Sequence, residues 1–177
     1  MSKLKQMNKD MLFDDFDDKT NDEKAIFIFT SLCNFFRVAT LTHNRSKPNW
    51  RPTRQEMRDS FLLHVDTRAV LKETLRNRQN RLSQFGFSNQ PLPIIVGNAN
   101  NNKECLVVFD QVKYVVETPM KAVDIAFKSY HSLHAEYPAE SEQIWSFLQK
   151  AVYKFKSKWD RYIDSTEILV REFNEFV

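Results

Sequence analysis

The side chains able to do chemistry fall into a few clusters, and each cluster lacks a member. His131 and His134 stand three residues apart, with Asp124 or Glu136 as a third donor. A metal needs three or four donors converging on one point. Neither cysteine is near in sequence and His134 falls on an apolar stripe, so the pair reads as structural and no metal or cofactor is expected. Asp110, Lys113 and Glu117 lie on a hairpin-like stretch, and a nuclease places two acids and a lysine on adjacent strands around magnesium. Lys113 and Glu117 share a strand face because their separation is even, but a charged, solvent-facing sheet explains them equally well. A magnesium-dependent nuclease is therefore the third-ranked reading. Ser129-Tyr130-His131 sets a hydroxyl beside an imidazole, without the glycine-lined oxyanion site that acyl transfer requires. No catalytic residue is assigned, and a non-enzymatic role is expected.

Two features suit binding better. Arg68, Lys72 and Arg76 recur at i, i+4 and i+8, with Arg78 and Arg81 close behind; on a helix this makes one basic stripe. The planar guanidinium fork pairs with phosphates and carboxylates, so the stripe is the candidate contact for a polyanion or an acidic partner. The interleaved aromatics that stack single-stranded bases are missing there. The second feature is Met11-Leu12-Phe13-Asp14-Asp15-Phe16-Asp17-Asp18. Such an acidic-aromatic stretch cannot fold alone, but Phe13 and Phe16 can dock into a partner's groove. Its aspartates lack the glycine and terminal glutamate of a calcium-binding loop.

Composition bounds the elements that must position these residues. Only 2 of the 177 residues are glycine, where average usage supplies about 12. That excludes phosphate-cradling and dinucleotide-binding loops and argues against a turn-rich all-β fold. Hydrophobic residues make up 42% of the chain, aromatics 13%, enough for a sizeable core. Residues 1–50 carry 8 basic and 7 acidic side chains, 51–90 carry 8 and 4, and 91–177 carry 10 and 12. The basic middle is far short of a dedicated nucleic-acid binder. Cys33 and Cys105 each sit in an apolar run and read as buried free thiols. With no cysteine framework and no secretory signal, the expected location is intracellular, in nucleus or cytoplasm. The apolar stretch 25–41 contains Asn34 and Arg37 and follows acidic residues, so no membrane span or signal is read.

Thr20-Asn21-Asp22-Glu23 has the form of a capping box and opens a helix expected over 21–41. Residues 42–52 form a basic, proline-punctuated linker and mark the expected boundary between an N-terminal segment (1–52) and a domain (53–177). From Thr53 a helical pattern runs through Met57, Phe61 and Val65, breaks or is capped at Asp66-Thr67, and continues through Val70, Leu71, Leu75 and Leu82 to Phe85, with Gly86 as its stop. Leu92–Gly97, Cys105–Phe109 and Val112–Glu117 read as three strands, with a polar loop over 98–103. Thr118-Pro119 opens a helix with Val123, Phe127, Tyr130 and His134 inward. A second helix repeats Ile144, Leu148, Val152 and Phe155, and a third runs from Trp159 to Val177. Trp159, Ile163, Val170 and Phe173 on that third helix offer a face for the core or for a second copy of the chain. The expected architecture is α+β: a helix-rich single domain with a small three-stranded sheet packed against helices.

The residues Phe61-Leu62-Leu63-His64-Val65, Gln90-Pro91-Leu92-Pro93-Ile94-Ile95-Val96-Gly97, Leu106-Val107-Val108-Phe109-Asp110, Lys121-Ala122-Val123-Asp124-Ile125-Ala126-Phe127-Lys128, His134-Ala135-Glu136-Tyr137-Pro138 and Ile144-Trp145-Ser146-Phe147-Leu148-Gln149 carry a resemblance. From about Phe61 to Tyr153 the chain resembles a group of multicopy proteins of insects and fishes linked to mobile elements. The resemblance implies one α+β module used for interaction and brings no catalytic residues with it. The expected function is a protein-interaction module docking through aromatic helix faces and the basic stripe. The alternative is a nucleic-acid-binding accessory protein using Arg68, Lys72 and Arg76.

Overall fold

Four of the six helices in the computed structural model, which describes residues 16, 18–43, 46–98, 101–158 and 160–176, begin at a threonine that caps them. Thr20 and Glu23 form the expected capping box at the start of α1 (Asn21–Leu32). Thr53 and Glu56 form a second at α2 (Arg54–Phe61). Thr67 accepts from the Val70 amide at α3 (Arg68–Phe85), and Thr118 from the Lys121 amide at α4 (Pro119–Ser132), where Pro119 occupies the first turn. Each such cap is worth about 1 kcal/mol. α5 (Glu142–Phe147) continues into a π-helical turn, Leu148–Val152, and α6 spans Asp164–Phe176.

α3 ends as the sequence requires. Gly86 adopts φ 86, its N–H donates to the Ser83 carbonyl and the Phe87 N–H to Leu82, the paired bonds of a Schellman motif. A Cβ on Gly86 would lie 2.9 Å from the His43 ring, so both the backbone angle and the space select glycine.

The sheet has four strands, not three. Its order is β1 (Leu63–Val65), β2 (Leu92–Asn98), β3 (Asn101–Phe109), β4 (Val112–Val116). β1 pairs parallel to β2, with Leu63 opposite Ile94, and α3 is the crossover; the other pairs are antiparallel. β1 was hidden because Val65 continues the helical repeat of Met57 and Phe61, and three residues are too few for period two to show. β3 also starts earlier than expected, at Asn101, so most of the polar loop is strand.

Alternation divides the sheet between two cores. Ile95 and Val107 face Phe61, Val123, Phe127 and Trp145 on one side. Leu63, Ile94, Val96, Leu106 and Val108 face Leu71 of α3 on the other. The first core also takes in Ala25, Ile26, Phe29, Cys33 and Phe36, so residues 21–36 pack on the elements that follow Thr53. Trp145 is fully buried, with Phe61 at 4.8 Å and Tyr130 at 5.0 Å between ring centroids.

Other expectations need correction. The first helix stops at Leu32 with a 3₁₀ turn to Phe35, and Phe36 is extended because its ring turns into the core against Phe147. Val152 and Phe155 are exposed while Ala151 is buried; the π turn shifts the register of the Ile144 face by one residue. His134 lies beyond the end of α4, exposed at φ 52. Val70 is likewise exposed. The last helix begins at Asp164, leaving Tyr162 exposed ahead of it; Trp159 and Val177 lie outside the described residues.

Candidate functional site

The basic stripe divides into pinned and free cations. Arg68 reaches Glu104 on β3 through two hydrogen bonds, at 2.7 and 2.5 Å, and this pairing raises its already high pKa. Arg78 donates to Glu140 Oε1 at 2.7 Å, and Arg81 to Glu56 at 3.2 Å. The Arg81 guanidinium also lies 4.9 Å from the Phe85 ring centroid. Lys72 and Arg76 are exposed and make no ion pair among the described residues. Spacing could not separate the two groups, because the acids that pin Arg68, Arg78 and Arg81 come from β3, from the 139–141 turn and from α2.

Arg78 and Arg81 border a cavity of about 290 Å³ between α2 and α3, lined also by Trp50, Asp59, Leu63 and Glu140. The so-called linker supplies its wall. Trp50 pairs with Leu41 through two backbone hydrogen bonds and stacks on Phe85, rings 5.1 Å apart and 8° from parallel. Glu140 has a wholly buried side chain. Its Oε2 and the Trp50 indole N–H meet no partner among the described residues. A buried acceptor left unmatched costs about 1–3 kcal/mol, more when charged. Burial pushes the Asp59 carboxyl above its usual range, against hydrogen bonds from Gln55 and the nearby Arg58. Sequence reasoning missed this constellation, because residues 50, 59, 78 and 140 meet only through the tertiary fold.

The hydroxyls and imidazoles are engaged structurally. Ser129 Oγ donates to the Ile125 carbonyl at 2.7 Å, and Tyr130 Oη to Pro91 at 2.5 Å. Burial drives the Tyr130 phenol pKa well upward. Tyr137 Oη donates to Gln149 at 2.8 Å and lies 3.0 Å from His131 Nε2; with that proton committed, Nε2 of His131 is the donor. Burial lowers the His131 pKa, opposed by Asp160. Asp110 sits exposed in the β3–β4 turn and Lys113 is exposed on β4. No three His, Cys, Asp or Glu side chains converge as a metal requires, among the described residues. Cys33 and Cys105 are buried free thiols, and burial raises both pKa values.

The aromatic helix faces are turned inward except at Phe176, exposed at the end of α6. Phe127, Tyr130 and Trp145 are buried, and Phe173 of α6 packs edge-on against Phe147 at 5.7 Å. Val170 packs against the same core, while Ile163 is half-buried. Phe16 lies 5.8 Å from Phe27 of α1, with Lys24 over its ring at 5.5 Å; Phe13 lies outside the described residues. No family model, curated protein or solved structure matches this chain. No helix among the described residues is long and apolar enough to cross a membrane.

Strand β4 gathers three of the exposed large apolar side chains; others, among them Val152, Tyr162 and Phe176, are scattered over the helices and loops. α3 covers β1, β2 and β3 through Leu71. Val115, beside Leu106 on that face, is 69% exposed. On the opposite face Val112 and Tyr114 are half exposed, Tyr114 edge-on to Phe109 at 5.3 Å. β1, the other edge, is three residues long with Leu63 and Val65 buried.

Proposed function

We propose that the chain is a protein-interaction module whose docking element is the edge strand β4. The observation that carries this reading is the exposure of Val112, Tyr114 and Val115, apolar residues on both faces of a terminal strand. Exposed apolar edges are normally blunted, because their unpaired backbone groups template another strand; β4 carries one such guard, Lys113, among these apolar residues. An extended segment added beside β4 would take its main-chain hydrogen bonds and place alternate side chains against Tyr114 and Val115. The role expected of the aromatic helix faces thus passes to the sheet edge. Lys72 and Arg76 remain available to bias the choice toward acidic partners. The nucleic-acid reading now rests on those two cations, which predicts only a shallow salt dependence.

The test is selection of peptides on the immobilised chain, followed by affinity measurement on variants. Val112→Lys with Val115→Lys is expected to weaken binding by at least about tenfold while leaving thermal stability unchanged. Lys72→Glu with Arg76→Glu is expected to change it by no more than about threefold. Binding indifferent to the β4 substitutions, or abolished by the α3 pair, would overturn the reading.

A further inference from the structure

We propose that the cavity between α2 and α3 binds the ammonium end of an alkyl chain, supplied by a free aliphatic amine or by a lysine side chain. This inference is independent of the β4 reading. The cavity, about 290 Å³, lies at the small end of ligand pockets, large enough for one side-chain-sized group. Trp50, Leu63 and Leu82 give it apolar walls, and Glu140 and Asp59 stand among its polar groups. Glu140 is spent on one side only: Arg78 holds Oε1, and Oε2 is buried without a donor among the described residues.

The ion pairs around the cavity leave one acceptor unmet. Glu56 pairs with Arg81 and Asp59 with Arg58, whereas Glu140 meets Arg78 through Oε1 alone. An ammonium brings three N–H donors, one of them able to make a charge-assisted hydrogen bond to Glu140 Oε2. Its methylene stem would lie along the indole and the two leucines, as lysine stems do on apolar surfaces. An anion would face three carboxylates. A metal ion would lack its ligand set, since no three suitable donors converge among the described residues.

The unpaired Trp50 indole N–H, on the cavity wall, is the reporter. Its ¹H–¹⁵N resonance, assigned with Trp50→Phe, is followed in the full chain during titration with n-pentylamine, with Nα-acetyl-lysine methylamide, and with n-pentanol as the uncharged control. Both amines are expected to give a saturable shift at millimolar concentration, with pentanol weaker by at least about tenfold. Glu140→Gln is expected to weaken the amines by a similar factor. If Glu140→Gln fails to fold, the comparison of amine with pentanol on the unaltered chain carries the test. The tighter amine identifies the source. No shift up to about 50 mM amine would mean an ordered water only, and an equal shift with pentanol a merely apolar hollow; either overturns the proposal.

Discussion

Replacing Arg78 with methionine strands the Glu140 carboxylate in the interior. Arg78 keeps 15% of its side chain exposed and Glu140 none, so the carboxylate is left in the interior without its cation. Breaking one side of a buried pair costs about 3–5 kcal/mol. For a chain of this length each kcal/mol moves the midpoint by about 2–4 °C, so Arg78→Met should lower Tm by about 6–20 °C. Substituting both partners, Arg78→Met with Glu140→Leu, removes the stranded charge and should recover most of that loss. Arg68 provides the control. Its side chain is 75% exposed beside Glu104, and Arg68→Met should fall within the error of urea titrations followed by far-ultraviolet circular dichroism. An Arg78→Met loss no larger than the control's, or a double variant that simply adds the two single losses, would refute this reasoning.

Phe61 is fully buried between Phe29 and Trp145, at 5.9 and 4.8 Å, and Phe61→Ala should cost about 3–5 kcal/mol in urea unfolding. Gly86→Ala should cost about 1–2 kcal/mol, because alanine resists φ 86 and its methyl meets His43; a neutral result would contradict the Schellman assignment. His131 titrates below its ordinary value in the fold, so the unfolded chain takes up the proton first. Its contribution to stability is therefore present above about pH 6.5, is lost as the pH falls toward the native value, and then levels off. Urea midpoints at about pH 7.5 and 5.5 should fall further in the wild type than in His131→Asn. An equal fall in both would place the pH dependence at other groups than His131, and not at Asp59 or Glu142, whose raised pKa values make stability rise as the pH falls.

Local signals read well where physics is local. Thr20, Thr118-Pro119 and Gly86 each act within four residues, and each does in the structure what its type dictates. The β-branched runs of β2, β3 and β4 declare themselves in the same way. What stayed hidden is non-local. β1 exists because β2 offers it a parallel partner about 30 residues away across α3, and its three residues carry no period of their own. The turn of Phe36 out of α1 is set by Phe147, and the π turn at Leu148–Val152 moves outward residues that periodicity placed inside. The basic stripe was legible as a row of cations, but its reduction to Lys72 and Arg76 depends on Glu56, Glu104 and Glu140 arriving from other elements. The exposure of β4 was legible only at the charges Lys113 and Glu117, since Val112, Tyr114 and Val115 are residue types that a sequence assigns to a core.

The central claim is that β4 is an open edge. Residue-resolved amide hydrogen exchange across Val112–Val116, in the free chain and with a selected peptide bound, tests it directly. Alternate amides, those facing away from β3, should exchange readily in the free chain and slow by at least about tenfold in the complex. Edge amides already protected in the free chain, or protection appearing on α3 or α6 with β4 unchanged, would contradict it.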